Sequence, residues 1–219
     1  MSCPICGWKG KQFQPVGRIP RPNARCPRCN SFERHRALFL YLRDETRILT
    51  EPTRLLHFAP EPALTTVFER HANIDYVTTD LSGRNVSIRM DMTDLLFRDG
   101  VFDCVIASHV LEHVTDDHAA MREVRRVTKP SGFALLMVPI MGTPDGRTIE
   151  DPSIVDPEER VRAFGQHDHV RKYGRDFPDR ARAAGLDVTV VSYPKQLGAD
   201  AARLHALAPN EQLFVCRPG

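Results

Sequence analysis

The sequence predicts an α/β chain: a doubly wound, mostly parallel sheet with helices on both faces, preceded by a small N-terminal module folded around a metal. Three observations carry this. From residue 53 onward, short continuous apolar runs alternate with segments of helical period, the pattern of parallel strands covered on both faces. Before them, four cysteines stand in two close pairs, Cys3-Pro-Ile-Cys6 and Cys26-Pro-Arg-Cys29. The length, 219 residues, suits one substantial domain with a small appendage.

Residues 1–30 read as a zinc ribbon. Each C-x-x-C lets two thiolates reach one ion, and the intervening loop is long enough to bring the pairs together. Gly7 and Asn30, just after the pairs, can take the positive φ that such a turn needs. A redox or disulfide reading is the rival, but cytosolic redox motifs come singly beside a βαβ pattern. Four thiolates at Cys3, Cys6, Cys26 and Cys29 complete a tetrahedron and leave no position for substrate, so the expected role of zinc is structural. Cys104 and Cys216 lie in apolar, strand-like runs and read as core residues.

Residues 31–52 form a connecting helix and linker. Ser31 is the expected N-cap, and Phe32, Leu38, Phe39, Leu42 and Ile48 recur at near-helical spacing up to about Leu49. Glu51-Pro52 marks the boundary to the main domain, residues 53–219. There the strand candidates are 54–58, 75–79, 86–90, 102–107, 133–138, 186–192 and 212–216. Helices are expected over 62–71, 116–127 and 177–184, the last stopped by Gly185. Lys129-Pro130-Ser131-Gly132 reads as a turn. The stretch 141–173 is too long for an ordinary connection and is expected to be a lid or substrate segment.

Composition is ordinary for a globular chain, with 42% hydrophobic and 26% charged residues. No apolar run reaches the roughly 18–20 residues of a membrane span. The first residues are cysteine-bearing where a secretory signal would be apolar, so a reducing cytoplasm is the expected location and no membrane partner is expected. The net charge is only +2, yet residues 1–36 hold Lys9, Lys11, Arg18, Arg21, Arg25, Arg28, Arg34 and Arg36 against Glu33 alone. Such a face could meet nucleic acid, or could offset an anionic zinc–thiolate centre.

The most specific stretch runs from Asp91-Met92-Thr93-Asp94-Leu95 through Phe97-Arg98-Asp99-Gly100-Val101-Phe102-Asp103 and Ser108-His109-Val110-Leu111-Glu112-His113-Val114 to Val127-Thr128-Lys129-Pro130-Ser131-Gly132. It resembles the class I S-adenosylmethionine-dependent methyltransferases of the type 11 branch, over roughly residues 53–193. The resemblance implies a Rossmann-like sheet that binds S-adenosylmethionine at the carboxyl ends of its strands. It places Asp80 on the ribose hydroxyls, Asp91 and Met92 against the adenine, and Ser108 and His109 beside the sulfonium. The family's first loop, acid-x-Gly-x-Gly-x-Gly, is replaced here by His57-Phe58-Ala59-Pro60-Glu61-Pro62-Ala63. His57, Ala59 and Glu61 then stand at the cofactor positions, with Glu61 offered to the methionine ammonium, although Pro60 and Pro62 prevent the usual loop geometry from being reproduced in full.

Histidine supplies the expected acid–base groups. The resemblance puts His109 on the cofactor side and makes the His167-Asp168-His169 to Tyr173 stretch a border of the acceptor pocket. His109, His167, His169 and Tyr173 are therefore the catalytic candidates. His167 and His169 could also ligate a metal, but no third ligand is evident beside them in the sequence. The function implied is methyl transfer to an oxygen or nitrogen nucleophile, with a small molecule favoured because no Asn-Pro-Pro-Tyr-like signature follows the fourth strand. An RNA acceptor docked by the basic ribbon, or a binding protein built on the same scaffold, stays open. Oligomeric state is not legible.

Overall fold

The computed structural model describes residues 1–17, 20–83, 85–143 and 145–219, so Arg18 of the basic N-terminal set and Pro144 of the 141–173 segment lie outside the described residues. Two compact units emerge. The first comprises Met1–Thr53, Pro60–Tyr76 and Val191–Leu213, and the second Arg54–Ala59, Val77–Val190 and Phe214–Gly219.

In the first unit, strands β1 (Gln14–Val16) and β2 (Arg21–Arg25) form an antiparallel hairpin. Each cysteine pair closes a tight turn: Gly7 donates to the Cys3 carbonyl at 3.0 Å and Asn30 to that of Cys26 at 3.0 Å. Gly7 and Asn30 take φ of 71° and 58°, the left-handed backbone expected of them. Helix α1 spans Glu33–Glu45 and is capped differently from expectation. Phe32 occupies the N-cap, with its amide donating to His35 Nδ1 at 3.2 Å, because the Ser31 hydroxyl is engaged with Cys29 Sγ at 3.2 Å and Cys3 Sγ at 3.5 Å. The helix stops four residues short of Leu49, where Thr46 turns its hydroxyl back onto the Leu42 carbonyl. Helices α2 (Pro62–Phe68), α6 (Tyr193–Gln196) and α7 (Ala199–Leu204) complete the unit.

Arg36 on α1 is wholly buried, unlike the solvated face expected of a basic cluster. Its guanidinium lies over the Phe13 ring and donates to the carbonyls of Asn23, Ala24, Ser31, His205 and Ala206 at 2.7–3.2 Å. Five carbonyls from three segments are thus satisfied by one planar fork.

The sheet is built from β3 (Thr53–Phe58), β4 (Ile74–Asp80), β5 (Ile88–Arg89), β6 (Phe102–Ser108), β7 (Thr128–Met137), β10 (Leu186–Val191) and β11 (Leu213–Pro218). Its order is β10-β11-β7-β6-β3-β4-β5; β3, β6 and β7 run parallel, and β11 is antiparallel to β7. The chain leaves β3 toward β4 and β5 on one side, then returns to β6 on the other. The strand order therefore reverses between β3 and β6, where an open α/β sheet offers its crevice. In the second unit, helices α3 (Asp117–Val127) and α5 (Phe177–Ala183) cover a core of Leu56, Val105, Ala107, Met121, Leu136 and Phe214.

The expected turn at Lys129–Gly132 lies inside β7. It survives as a bulge: between the pairs Phe102↔Thr128 and Cys104↔Phe133, β6 advances two residues and β7 five. Gly132 fits there because a Cβ would lie 2.7 Å from the Asp103 carbonyl. The 141–173 stretch has its own elements, β8 (Ile149–Glu150) paired with β9 (Arg171–Lys172), and α4 (Pro157–Phe164). No helix among the described residues is long and apolar enough to cross a membrane.

Candidate functional site

A cleft of about 560 Å³ opens at the carboxyl ends of β3, β4 and β6, at the reversal of strand order. Ala59, Asp80, Asp91, Met92 and His109 all line it, so five of the expected site residues meet in one place. Buried Met90 and Met92 form its apolar wall.

The loop after β3 takes a left-handed turn at a residue that is not glycine. Ala59 takes φ of 45°, and its amide donates to the Thr79 carbonyl at 2.8 Å, tying the end of β3 to β4. A side chain in this region costs about 1–2 kcal/mol. His109, at the end of β6, does the same with φ of 56° and an amide bond to the Met137 carbonyl at 2.8 Å. Two strained residues thus stand on adjacent strand ends and line the same cleft.

Asp80 ends β4. Its Oδ1 accepts from the Ser82 and Gly83 amides at 2.7 and 2.5 Å, which fixes the carboxylate at the cleft wall. Gly83 is required here, since a Cβ would lie 2.8 Å from that of Asp80. Among the described residues Oδ2 makes no hydrogen bond. Asp91 is fixed in the same manner, with Oδ1 accepting from the Thr93 amide and hydroxyl at 2.8 and 2.7 Å.

Other expected residues stand elsewhere. His57 is fully buried within β3. Ser108 is buried in β6, and among the described residues its hydroxyl has no hydrogen-bond partner. Glu61 belongs to the first unit, where it precedes α2 and places Oε1 3.1 Å from His35 Nε2. His167 is exposed and does not line the cleft. Tyr173 does not border it either. Its buried hydroxyl donates to Asp117 Oδ2 at 2.8 Å, and burial pushes its pKa up.

His169 is buried beside the cleft, its ring edge-on to His113 with centroids 4.7 Å apart. Burial holds its pKa below the usual imidazole range, against the opposing charge of Glu112. The 3-10 turn Leu111–His113 carries Glu112, whose side chain is 1% exposed. Arg171 holds this turn. Almost fully buried, it donates to the carbonyls of Leu111, Val114 and Thr115 and to Glu150. Beneath it, Asp117 accepts from Tyr173 and Arg180; burial opposes its ionisation, but these donors and Arg171 hold its carboxyl below the usual range. The sequence showed Arg171 and Asp117 only as polar residues of two remote segments, with no signal that they meet.

In the first unit the four cysteine thiols gather at one point, with Cys3–Cys29 and Cys6–Cys26 sulfur distances of 3.6 and 3.7 Å. A disulfide would need about 2.05 Å. Zinc–sulfur bonds of about 2.3 Å give a tetrahedron with edges near 3.8 Å, so the donor set fits zinc.

Comparison with known proteins agrees with the architecture. Residues 61–136 match the family model described as a methyltransferase domain. An uncharacterized 37.1 kDa protein of transposon TN4556 from Streptomyces fradiae is 37% identical over 108 residues, 46% of this chain and 29% of that protein. A demethylmenaquinone methyltransferase of Mycolicibacterium vanbaalenii is 52% identical over 42 residues, 19% of this chain and 18% of that protein. The chain spans less than half the length of these curated relatives. Among solved structures, an S-adenosylmethionine-dependent methyltransferase from Mesorhizobium loti superposes with a TM-score of 0.54 at 16% identity, covering 82% of this chain and 96% of that one. About a third of the chain thus matches a methyltransferase-domain model, and its sheet shares the Rossmann-like fold of that solved structure.

Proposed function

We propose that this chain is an S-adenosylmethionine-dependent methyltransferase acting on an oxygen or nitrogen nucleophile of a small molecule, with a structural zinc ribbon at residues 1–30. The observation that carries it is the cleft at the strand-order reversal, with Asp80 and Asp91 fixed at its wall and Ala59 holding the left-handed backbone of a glycine. Its volume suits a cofactor-sized ligand. Asp80 Oδ2 would accept from ribose hydroxyls, Asp91 would meet the adenine edge, and Met90 and Met92 would pack on its ring. S-adenosylmethionine supplies an activated methyl group on a good leaving group. The chain's own residues then need chiefly to align the acceptor and exclude water, with His109, which lines the cleft, as the proposed proton acceptor. A small acceptor is favoured over RNA because Arg36, counted among the basic ribbon residues, is spent on internal carbonyls.

The test is a calorimetric titration with S-adenosylmethionine and S-adenosylhomocysteine. Asp80→Asn keeps the Oδ1 that closes the turn and replaces the ligand-facing oxygen with a donor. Its affinity should fall by about 1.5–3 kcal/mol, the range for a hydrogen bond to a charged group. Unchanged affinity refutes the binding mode, and a wild type that binds neither ligand leaves a scaffold rather than an enzyme.

A further inference from the structure

Glu112 presents a problem that the methyl-transfer reading does not solve. Its side chain is 1% exposed, yet neither carboxylate oxygen has a hydrogen-bond partner among the described residues. His109 Nδ1 stands 3.2 Å from Oε1, near enough for attraction but without the alignment of a hydrogen bond. A buried carboxyl without donors is costly, and cores rarely leave one so. His113 and His169 each offer a ligand atom here, and these lie with a Glu112 oxygen within 4.8 Å of one another.

We propose that Glu112, His113 and His169 bind one first-row divalent cation at the edge of the cleft. Two imidazoles and a carboxylate are a donor set for such ions, and leave coordination positions open. Both imidazoles are already oriented by polar neighbours. His169 Nδ1 lies 3.3 Å from the Phe164 carbonyl, which can only accept, so that nitrogen carries the proton and Nε2 keeps its lone pair. His113 Nδ1 faces Asp168 Oδ2 at 3.3 Å, the carboxylate–histidine arrangement that orients a metal ligand. Ligands about 2.1 Å from one ion stand at most about 4.2 Å apart, close to the spacing already present. His113, with a side chain 32% exposed, has room to turn. The sequence offered His167 as the partner of His169; the fold instead supplies Glu112 and His113 from the turn after β6.

The role of the ion rests on the methyltransferase reading, though the site itself does not. His109, His113 and Asp168 line the cleft, so the open positions face the methyl acceptor. An acceptor hydroxyl bound there loses its proton to solvent more readily. The resulting oxyanion forms the new C–O bond as the C–S bond breaks, its electron pair moving to sulfur and neutralising the sulfonium.

The test uses the full chain with its ribbon zinc in place and Mn²⁺ alone as the probe, followed by electron paramagnetic resonance. Mn²⁺ lies lowest in the affinity order and favours oxygen and nitrogen donors, so it does not displace zinc from four thiolates. The wild type should bind one Mn²⁺ per chain beyond the zinc. Glu112→Gln and His169→Ala should each weaken it at least tenfold, while His167→Ala leaves it unchanged. Should either buried variant fail to fold, His113→Ala, at a partly exposed position, carries the same expectation. No Mn²⁺ bound by the wild type, or equal binding by folded ligand variants, overturns the proposal. A parallel titration with S-adenosylhomocysteine keeps its failure separate from that of the methyltransferase reading.

Discussion

Arg171→Met is the most informative single change outside the ligand positions. Arg171 is 3% exposed and donates to the Leu111 carbonyl at 2.8 Å, the Thr115 carbonyl at 2.7 Å, the Val114 carbonyl, and Glu150 Oε2 at 2.9 Å. Methionine fills much of the same volume, so packing is largely kept and the loss is polar. Each carbonyl bond from a charged donor is worth roughly 1.5–3 kcal/mol, and three would sum to well above 4. Such terms are not additive, and partly exposed Glu150 recovers water when released. Asp117, 3.8 Å away, keeps Arg180 and Tyr173. A loss of about 3–5 kcal/mol follows, the range for breaking one side of a buried ionic contact. At this chain length each kcal/mol moves Tm by about 2–4 °C, so thermal unfolding followed by circular dichroism should fall by roughly 6–20 °C. Arg171→Lys should recover little, because an ammonium cannot span three carbonyls. S-adenosylhomocysteine affinity should drop as well, since His113, Val114 and Thr115 of the clamped segment line the cleft. A Met variant within about 1 kcal/mol of wild type would refute this account.

Elemental analysis should find one zinc per chain in the ribbon, and Cys26→Ser should abolish it; free thiols without metal would contradict the fit of the four sulfurs. Since the ribbon's Ser2 and Arg36's carbonyl partners reach α7 and the residues after it, zinc loss should also cost helical signal, measurable by far-ultraviolet dichroism. Glu61→Ala should lower stability by about 1–3 kcal/mol through loss of the His35 contact. It should alter affinity for S-adenosylhomocysteine and for methylthioadenosine alike; a loss confined to the amine-bearing ligand would restore Glu61 to the ammonium. Asp117 gives the pH dependence: its donors hold the folded carboxyl below the usual carboxylate range, so its stabilisation is present above the ordinary carboxylate pKa and is lost as pH falls through the depressed value. The stability gap between wild type and Asp117→Asn in urea denaturation should therefore be widest near neutrality and begin to narrow below about pH 4. A gap constant from pH 6 to pH 3 would refute it.

Strands and helices were legible wherever local periodicity and burial agree, as in β6 and α3, whose bounds fall within a residue of expectation. Legibility failed where a side chain had a distant competitor. Ser31 has the chemistry of an N-cap, but two thiols take its hydroxyl. Lys129–Gly132 has the chemistry of a turn, but its neighbours in β6 draw it into a bulged strand. In the site, Asp80, Asp91 and Met92 stand on the cleft because strand ends fix them there. Glu61 and Tyr173 were assigned by position alone, and position does not reveal that His35 and Asp117 lie within reach. The grouping of Glu112 with His169 was hidden for the same reason: 57 positions separate them, and the two segments are held together by the Arg171 clamp and the Val170 amide bond to the Glu112 carbonyl.

The first loop shows why motif letters and loop geometry must be argued separately. Glycine is favoured at such a strand end because the backbone needs positive φ, not because a hydrogen atom is needed for its own sake. Among the described residues, five non-glycines hold positive φ, and two of these are asparagines, for which the conformation is cheap. Ala206 is held by its carbonyl bond to Arg36. The remaining two, Ala59 and His109, are the pair at the ends of β3 and β6, each anchored through its amide to a neighbouring strand. Strain of this kind persists only where surrounding structure over-determines it. The parallel register of β3 and β6, Phe58 opposite Ala107, supplies that constraint on both residues at once. Positive φ at the ends of β3 and β6 is thus reached here without a glycine at either position. Ala59 bears a side chain the conformation disfavours, so the geometry at this strand end is imposed by the sheet and not by the residue.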